Sequence, residues 1–487
     1  MKPYFSHRSC YVNLAEHLQN SWNANVLFPG APNRWSGGDW KNYSRMLKAF
    51  GFNILEFWLP PTMFSREALA GEKVQTDFIR EINKAIGEAH KAGLMVKVLM
   101  IVNTIGQKWF FACPRVPEEK QLILKLWDFW SKALETPDIF CIFPGDPGGC
   151  ARHGCTHEDF IRLALEISGV IKRNSPSSRV SVGTWGAPFS GWGSDYFPIS
   201  DDADNWEKME KEFIASGYEV PIWNGRMDRA KKAASYLVSQ LDDFPEDTMI
   251  EINLGFSSDA TYVHGGPAKK WAREIARKRD IVTWDYSLSE GELITYPHWR
   301  LPRMSQKIRE WRSAAPYKGG MSYTMTPKLN LLSQYAAAKL MSDPDLDPDR
   351  ISADFCASVF GEEHRELGEL FEAFEVVDTG WGYYPRHRWS REALREAYGL
   401  IIEHLEAADV SGCSLPLFPS PEEYRQDLLW FARIFLELAA DSPDRESIRK
   451  RYWEKSMKIY DHIPMSEDKR AERSAELFSQ ILAGLPY

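Results

Sequence analysis

The amino-acid sequence predicts an α/β fold, a (β/α)8 barrel over residues 1–325 followed by a C-terminal α-helical region over residues 326–487. Three observations predict it. Short apolar runs of strand length recur through the first two-thirds of the chain, and between them lie stretches whose apolar residues return every three or four positions. From about Met325 onward only the helical pattern continues. Alternating β and α elements over about 320 residues imply a parallel sheet with helical crossovers, and their number suits a closed eight-stranded barrel. An open doubly wound sheet lacks support, because no G-x-G-x-x-G follows an early strand and no G-x-x-x-x-G-K-[ST] occurs.

The strand-like runs, in order, are Cys10–Leu14, Asn53–Leu59, Met95–Asn103, Ile139–Asp146, Arg179–Trp185, Glu219–Asn224, Met249–Gly255, Ile281–Tyr286 and Gly320–Thr324. Nine candidates compete for eight places, and Cys10–Leu14 and Ile281–Tyr286 are the first to be set outside the barrel. Amphipathic spacing predicts helices over Asp77–Ala92, Glu118–Leu134 and His157–Lys172, with Gly93 as the stop of the first. The later helices are expected at Leu329–Met341, Ile351–Phe360, Arg391–Ala408, Pro421–Ala440 and Ile448–His462. The Asp/Pro run from Asp343 to Asp349 separates the first two.

The 487 residues are 44% hydrophobic and 26% charged, which excludes a disordered or fibrous chain. A net charge of −9 argues against nucleic acid as a partner, since that affinity comes from Lys and Arg neutralising phosphates. With no apolar run of membrane-spanning length, and a start (MKPYFSHR) lacking a secretory apolar core, a cytoplasmic protein without membrane partners is expected; a homo-oligomer stays open. Seven Cys, an odd number, fit a reducing compartment better than a disulfide scaffold. The 19 Trp stand out, several in loop-like contexts such as Trp35, Trp40, Trp185, Trp192, Trp299 and Trp381. An indole suits core packing, and where it follows a strand it also suits stacking on a sugar ring.

In such a barrel the active site forms at the C-terminal ends of the strands. Asp146 ends the run IFCIFPGD before a Gly-rich turn and is the first candidate for a general acid, a role that a pKa raised by apolar surroundings would serve; capping the helix near Thr156 is its alternative. Glu56 and Trp58 share one strand face, as do Glu251 and Asn253, and Thr283, Asp285 and Ser287. Charged and amide groups inside apolar strands are costly unless paired, so Glu56 is either functional or held by a cation, and one of these sets should line a wet cavity. Asp285 lies between Trp284 and Tyr286. Asn103, Trp185, Trp223, Asn224 and Tyr323 complete a ring of polar and aromatic residues near strand ends, and the absence of G-x-S-x-G disfavours a serine hydrolase.

Cys150, His153, Cys155 and His157 place two thiols and two imidazoles within eight residues, with Cys113 able to arrive from the preceding loop. Zinc takes four such ligands, but C-x4-C with an intervening His is no standard knuckle. A structural metal, a Cys150–Cys155 bridge and free thiols are the readings of this segment. A metal-dependent barrel enzyme using Cys150, His153 and Cys155 is one functional alternative, while the main reading needs no metal or other cofactor.

The order of strand endings, from RVSVGTWG through VPIWNG and MIEINLGFSSD to GGMSYTMTPKLNLLSQYAAAKLMSDPDLDP, resembles the TIM-barrel glycoside hydrolases of the O-GlcNAcase/hexosaminidase and α-glucuronidase type. The resemblance covers roughly residues 90–360, through degenerate motifs. In that family the last barrel strand feeds a helix and a W-N-P-like segment, which Met341-Ser342-Asp343-Pro344-Asp345 matches without the Trp. The resemblance implies carbohydrate chemistry. It also implies two adjacent acids after strand four; Gly145-Asp146-Pro147 keeps one and lacks the other, so the partner has to come from another strand.

The expected function is therefore a glycoside hydrolase with two carboxylates flanking the glycosidic bond. Asp146 is the general acid; Glu251, Asp285 or Glu56, in that order, is the second carboxylate. Trp58, Trp185, Trp223 and Trp284 would stack on sugar faces, and Tyr323, Asn103, Asn224 and Asn253 would join them in binding substrate. A carboxyl separation of about 5–5.5 Å would retain anomeric configuration and about 6.5–9.5 Å would invert it. A carbohydrate-binding barrel without catalysis is the other alternative.

Overall fold

A computed structural model describes residues 2–14, 35–106, 110–144, 150, 152–184, 234–253, 269–285, 288–289, 297–324, 327–378, 383–385 and 389–460. Eight parallel strands close into a barrel: β1 (His7–Asn13), β2 (Ile54–Leu59), β3 (Met95–Ile101), β4 (Ile139–Phe143), β5 (Arg179–Gly183), β6 (Met249–Asn253), β7 (Ile281–Trp284) and β8 (Gly319–Thr324). Each pairs with its sequence neighbours, and β1 closes the ring by pairing with both β2 and β8, through Tyr11 opposite Glu56 and Tyr323.

The strand count corrects one expectation. Both segments first set outside, Cys10–Leu14 and Ile281–Tyr286, supply barrel strands. The surplus run, Glu219–Asn224, lies outside the described residues, and β5 pairs directly with β6, so the ring closes without it.

The helices around the barrel are α1 (Gly37–Phe50), α2 (Lys73–Lys91), α3 (Pro117–Ala133), α4 (His157–Asn174), α5 (Lys269–Ala276), α6 (Leu301–Ala314) and α7 (Leu331–Ser342). All but α7, which is buried on nearly every side, carry amphipathic stripes. In α2 the buried residues Ile82, Ala85, Ile86 and Ala89 repeat at three- and four-residue steps, the stripe that packs a helix onto a barrel. Gly93 has φ +76° just beyond that helix, a left-handed conformation in which glycine avoids the usual Cβ penalty. Ser36 and Asp39 cap α1 reciprocally: the Ser36 hydroxyl accepts from the Asp39 N–H, and the Asp39 carboxylate accepts from the Ser36 N–H at 2.8 Å.

Helix α7 packs on β8, β1 and α1, closing the layer outside the first strand. The Tyr43 hydroxyl on α1 donates to Gln334 Oε1 on α7 at 3.1 Å, and both groups are buried. The division expected at 325/326 therefore falls between β8 and the helix that covers it. Beyond α7 come α8 (Pro348–Phe360), α9 (Arg391–Ala407), α10 (Pro421–Leu438) and α11 (Arg445–Tyr460). This helical region meets the barrel through Phe418, whose ring packs edge-on against Trp35 at 5.0 Å and whose N–H reaches Met46 Sδ. Among the described residues, no helix is long and apolar enough to cross a membrane.

Candidate active site

Successive side chains on a strand point to opposite faces, so every second residue enters the lumen. The inward positions form layers. At the N-terminal end Ile54, Ile139 and Met249 make a small apolar plug. Toward the C-terminal end Tyr11, Trp58, Leu99, Ile101, Phe143, Trp284, Met321 and Tyr323 make an apolar, largely aromatic layer together with Cys141. Tyr11 and Tyr323 stack at 4.8 Å, and Trp284 meets Tyr11 edge-on and Phe143 at a tilt. On β5 and β6 this layer has no ring of its own. Gly183 stands on β5 because a Cβ there would come within 2.4 Å of the Phe143 ring, and Asn253 ends β6.

Between the two apolar layers lies a charged one. Lys97 Nζ stands 3.0 Å from Glu56 Oε1 and 2.6 Å from Glu251 Oε1, and all three side chains are 0–1% exposed. Ser9 donates to Glu56 Oε2 at 2.7 Å, and Ser181 donates to Glu251 Oε1. Glu251 Oε2 is buried without a hydrogen-bond partner among the described residues. Burial alone would lower the Lys97 pKa, but Glu251 and then Glu56 outweigh it and hold the ammonium above its ordinary value. Burial pushes the Glu56 carboxyl up; Lys97 opposes that shift, and Glu251 adds to it. Cys141, from the aromatic layer, is kept a thiol chiefly by burial and then by Glu251.

The expected site residues divide accordingly. Glu56, Glu251, Trp58, Trp284 and Tyr323 converge in the lumen. Asp285 does not join them: the residue after β7 falls on the opposite face from Trp284, and its buried carboxylate pairs with Lys307 of α6 at 3.1 Å. Thr283 shares that outer face, beside Gly320 and Trp311. The alternation that places Trp284 inward thus places Asp285 against the helix layer, a correction to its expected position between aromatic faces at the mouth.

Asn103 lies two residues past β3, buried, with its amide nitrogen donating to the Ala112 carbonyl at 2.9 Å. Its Oδ1 is buried without a partner among the described residues, an acceptor that a ligand hydroxyl would satisfy. Asp146, Trp185, Trp223 and Asn224 lie outside the described residues. Lys97, Ser9, Ser181, Tyr11 and Phe143 were missed. A lysine inside the apolar run MVKVLMIV was the available signal for the first, since such a charge demands a partner.

A second cluster lies in the loops after β3 and β4. Cys113 Sγ is 3.4 Å from Cys155 Sγ, which is 3.1 Å from Cys150 Sγ, and all three are buried. His153 is exposed and outside this group, so the metal set expected from Cys150, His153 and Cys155 is replaced by one in which Cys113 takes the place of the imidazole.

No protein-family model and no curated protein matches the chain. Among solved structures, a GH138 enzyme targeting pectin rhamnogalacturonan II aligns with TM-score 0.54 at 10% identity, over 99% of this chain and 63% of that one. This chain therefore spans 63% of that enzyme's length. An O-GlcNAc hydrolase of Thermobaculum terrenum, in a substituted form, aligns with TM-score 0.49 at 10% identity, over 98% of this chain and 95% of that one. The GH138 enzyme is a glycoside hydrolase, and the likeness of this chain to it is one of fold.

Proposed function

We propose that the protein is a glycoside hydrolase whose active site lies at the C-terminal mouth of the barrel, with Asp146 as general acid and Glu251 as base or nucleophile. The observation that carries this reading is the state of Glu251. One oxygen is held by Lys97 and Ser181, and the other is buried without a partner among the described residues. A carboxylate fixed through one oxygen with the second available suits attack on an anomeric carbon or on a water. Glu56 is less suited, because Ser9 and Lys97 engage both of its oxygens. Asp285 is committed to Lys307 on the outer face.

Asp146 follows β4 by three residues, and β4 and β6 both flank β5, so the loop carrying the acid leaves the ring two strands from Glu251. Asp146 would protonate the glycosidic oxygen as the bond breaks. Trp58, Trp284 and Tyr323 would supply apolar walls around the ring, with Trp185 and Trp223 stacking on it. Asn103 Oδ1 would accept a sugar hydroxyl, and Asn224 and Asn253 would bind others. The substrate class is an oligosaccharide or glycoside.

Turnover on a panel of aryl glycosides and oligosaccharides, with calorimetry on the same sugars, tests the reading. Hydrolysis that falls by about 10²–10⁴-fold in Asp146→Asn with folding intact, and in the folded fraction of Glu251→Gln, which also loses a partner of Lys97, is the expected result. Sugar binding without hydrolysis would instead favour a non-catalytic carbohydrate-binding barrel.

A further inference from the structure

Three cysteines from two loops meet at one point. Cys113 follows a short antiparallel hairpin, Thr104–Ile105 with Phe110–Phe111, that leaves β3; Cys150 and Cys155 lie between β4 and α4. Their sulfurs all fall within 4.8 Å of one another. A disulfide would need about 2.05 Å, and no cysteine here forms one. Thiolates arranged tetrahedrally around zinc at about 2.3 Å put neighbouring sulfurs roughly 3.8 Å apart. Separations of 3.1 and 3.4 Å lie nearer to that arrangement than to a bond.

The surroundings are already built for such a site. The backbone N–H groups of Arg152 and His153 donate to Cys150 Sγ at 3.5 and 3.3 Å, the arrangement of a short turn folded around a sulfur acceptor. Gly154, at φ +60°, then turns the chain so that Cys155 returns to the same point. Two guanidiniums stitch the loops together: Arg152 reaches the Phe111 carbonyl and Glu119, and Arg115 reaches the His153 carbonyl and Asp159. Glu119 also accepts the Cys113 N–H at 2.6 Å. Arg115 and Arg152, each paired with a carboxylate, thus fix the two loops against each other around the sulfurs.

We propose that Cys113, Cys150 and Cys155 bind one zinc ion as thiolates, pinning the segment before α4 to the hairpin after β3. The set is all sulfur, which selects a thiophilic ion over magnesium or calcium. The sulfurs also stand too close for a [4Fe–4S] cluster, in which each cysteine ligates its own iron. Binding releases the thiol protons to solvent, and the fourth coordination position falls to a solvent oxygen. The proposal is independent of the glycosidase reading, because metal content is read without any sugar.

Elemental analysis of the full chain, purified after growth with zinc and passed through gel filtration, should find about one zinc per chain. Replacement by cobalt should give thiolate-to-cobalt charge-transfer absorption. Cys113→Ser and Cys150→Ser should each lower bound metal about tenfold or more, and His153→Ala should leave it unchanged. Folded protein that carries no zinc and gives no cobalt–thiolate band overturns the proposal, as does a Cys150–Cys155 disulfide found by mass spectrometry after alkylation without reduction. Should the serine variants fail to fold, the cobalt spectrum of the unsubstituted chain decides alone.

Discussion

Lys97 is buried between two carboxylates in the middle layer of the lumen. Removing one partner of a buried charge set leaves the others uncompensated, so Lys97→Met should destabilise the protein by about 3–5 kcal/mol in urea unfolding. A loss under about 1 kcal/mol, the worth of an exposed pair, would show that the layer is more solvated than its burial implies. Glu56 gives a pH signature. Its folded pKa is raised, chiefly by burial, so its contribution is fully present below the ordinary carboxylate value and is lost as pH rises through the folded one. Glu56→Gln removes this linkage, and the stability of the unsubstituted protein relative to the variant should fall from acid toward neutral pH. A pH-independent difference would contradict the assignment. At this scale the sequence was half legible: Glu56 and Glu251 announce themselves as charges inside apolar strands, and so does Lys97. That the three share one contact depends on the stagger of β2, β3 and β6 around a closed ring, which no local pattern encodes.

Strand β5 ends on Gly183, and the reason is its neighbour: the Phe143 ring from β4 fills the space a side chain would take. Gly183→Ala should cost about 1–3 kcal/mol by thermal or urea denaturation, through displacement of that ring. An unchanged midpoint would mean that the ring moves freely. Helix α10 starts with a reciprocal cap in which Ser420 and Glu423 satisfy each other's N–H groups, so Ser420→Ala should cost about 1 kcal/mol by the same measurement. Helices were the most legible elements, because a stripe repeating every three or four residues survives whatever it packs against. Strands were less so. β1 turns Ser9 and Tyr11 into a polar and aromatic lumen, and β7 has only four residues, so neither looks like a core strand in isolation. Asp285 shows the same limit from the other side, since its place is fixed by Lys307 on a helix that follows it.

For the molecule as a whole, closure is a two-ended matter: β1 pairs with β8 on one side and β2 on the other, and the Tyr4 and Phe5 N–H groups bond the Ser342 and Met341 carbonyls at the end of α7. The first residues of the barrel are thereby tied to its last helix. The repeat of strand and helix made this architecture readable, and the strand endings pointed to the carbohydrate-active barrels that share the fold. The mouth itself was readable only as a set of residues that follow strands, because which of them meet depends on the whole ring. Crystals soaked in a mixed sugar library test that meeting most directly. The account predicts a sugar among Trp58, Trp284 and Tyr323, with Asp146 and Glu251 on opposite sides of its glycosidic bond and their carboxyl groups about 5–9.5 Å apart. A sugar bound elsewhere, or one at the mouth with Asp146 turned away from it, would contradict the account.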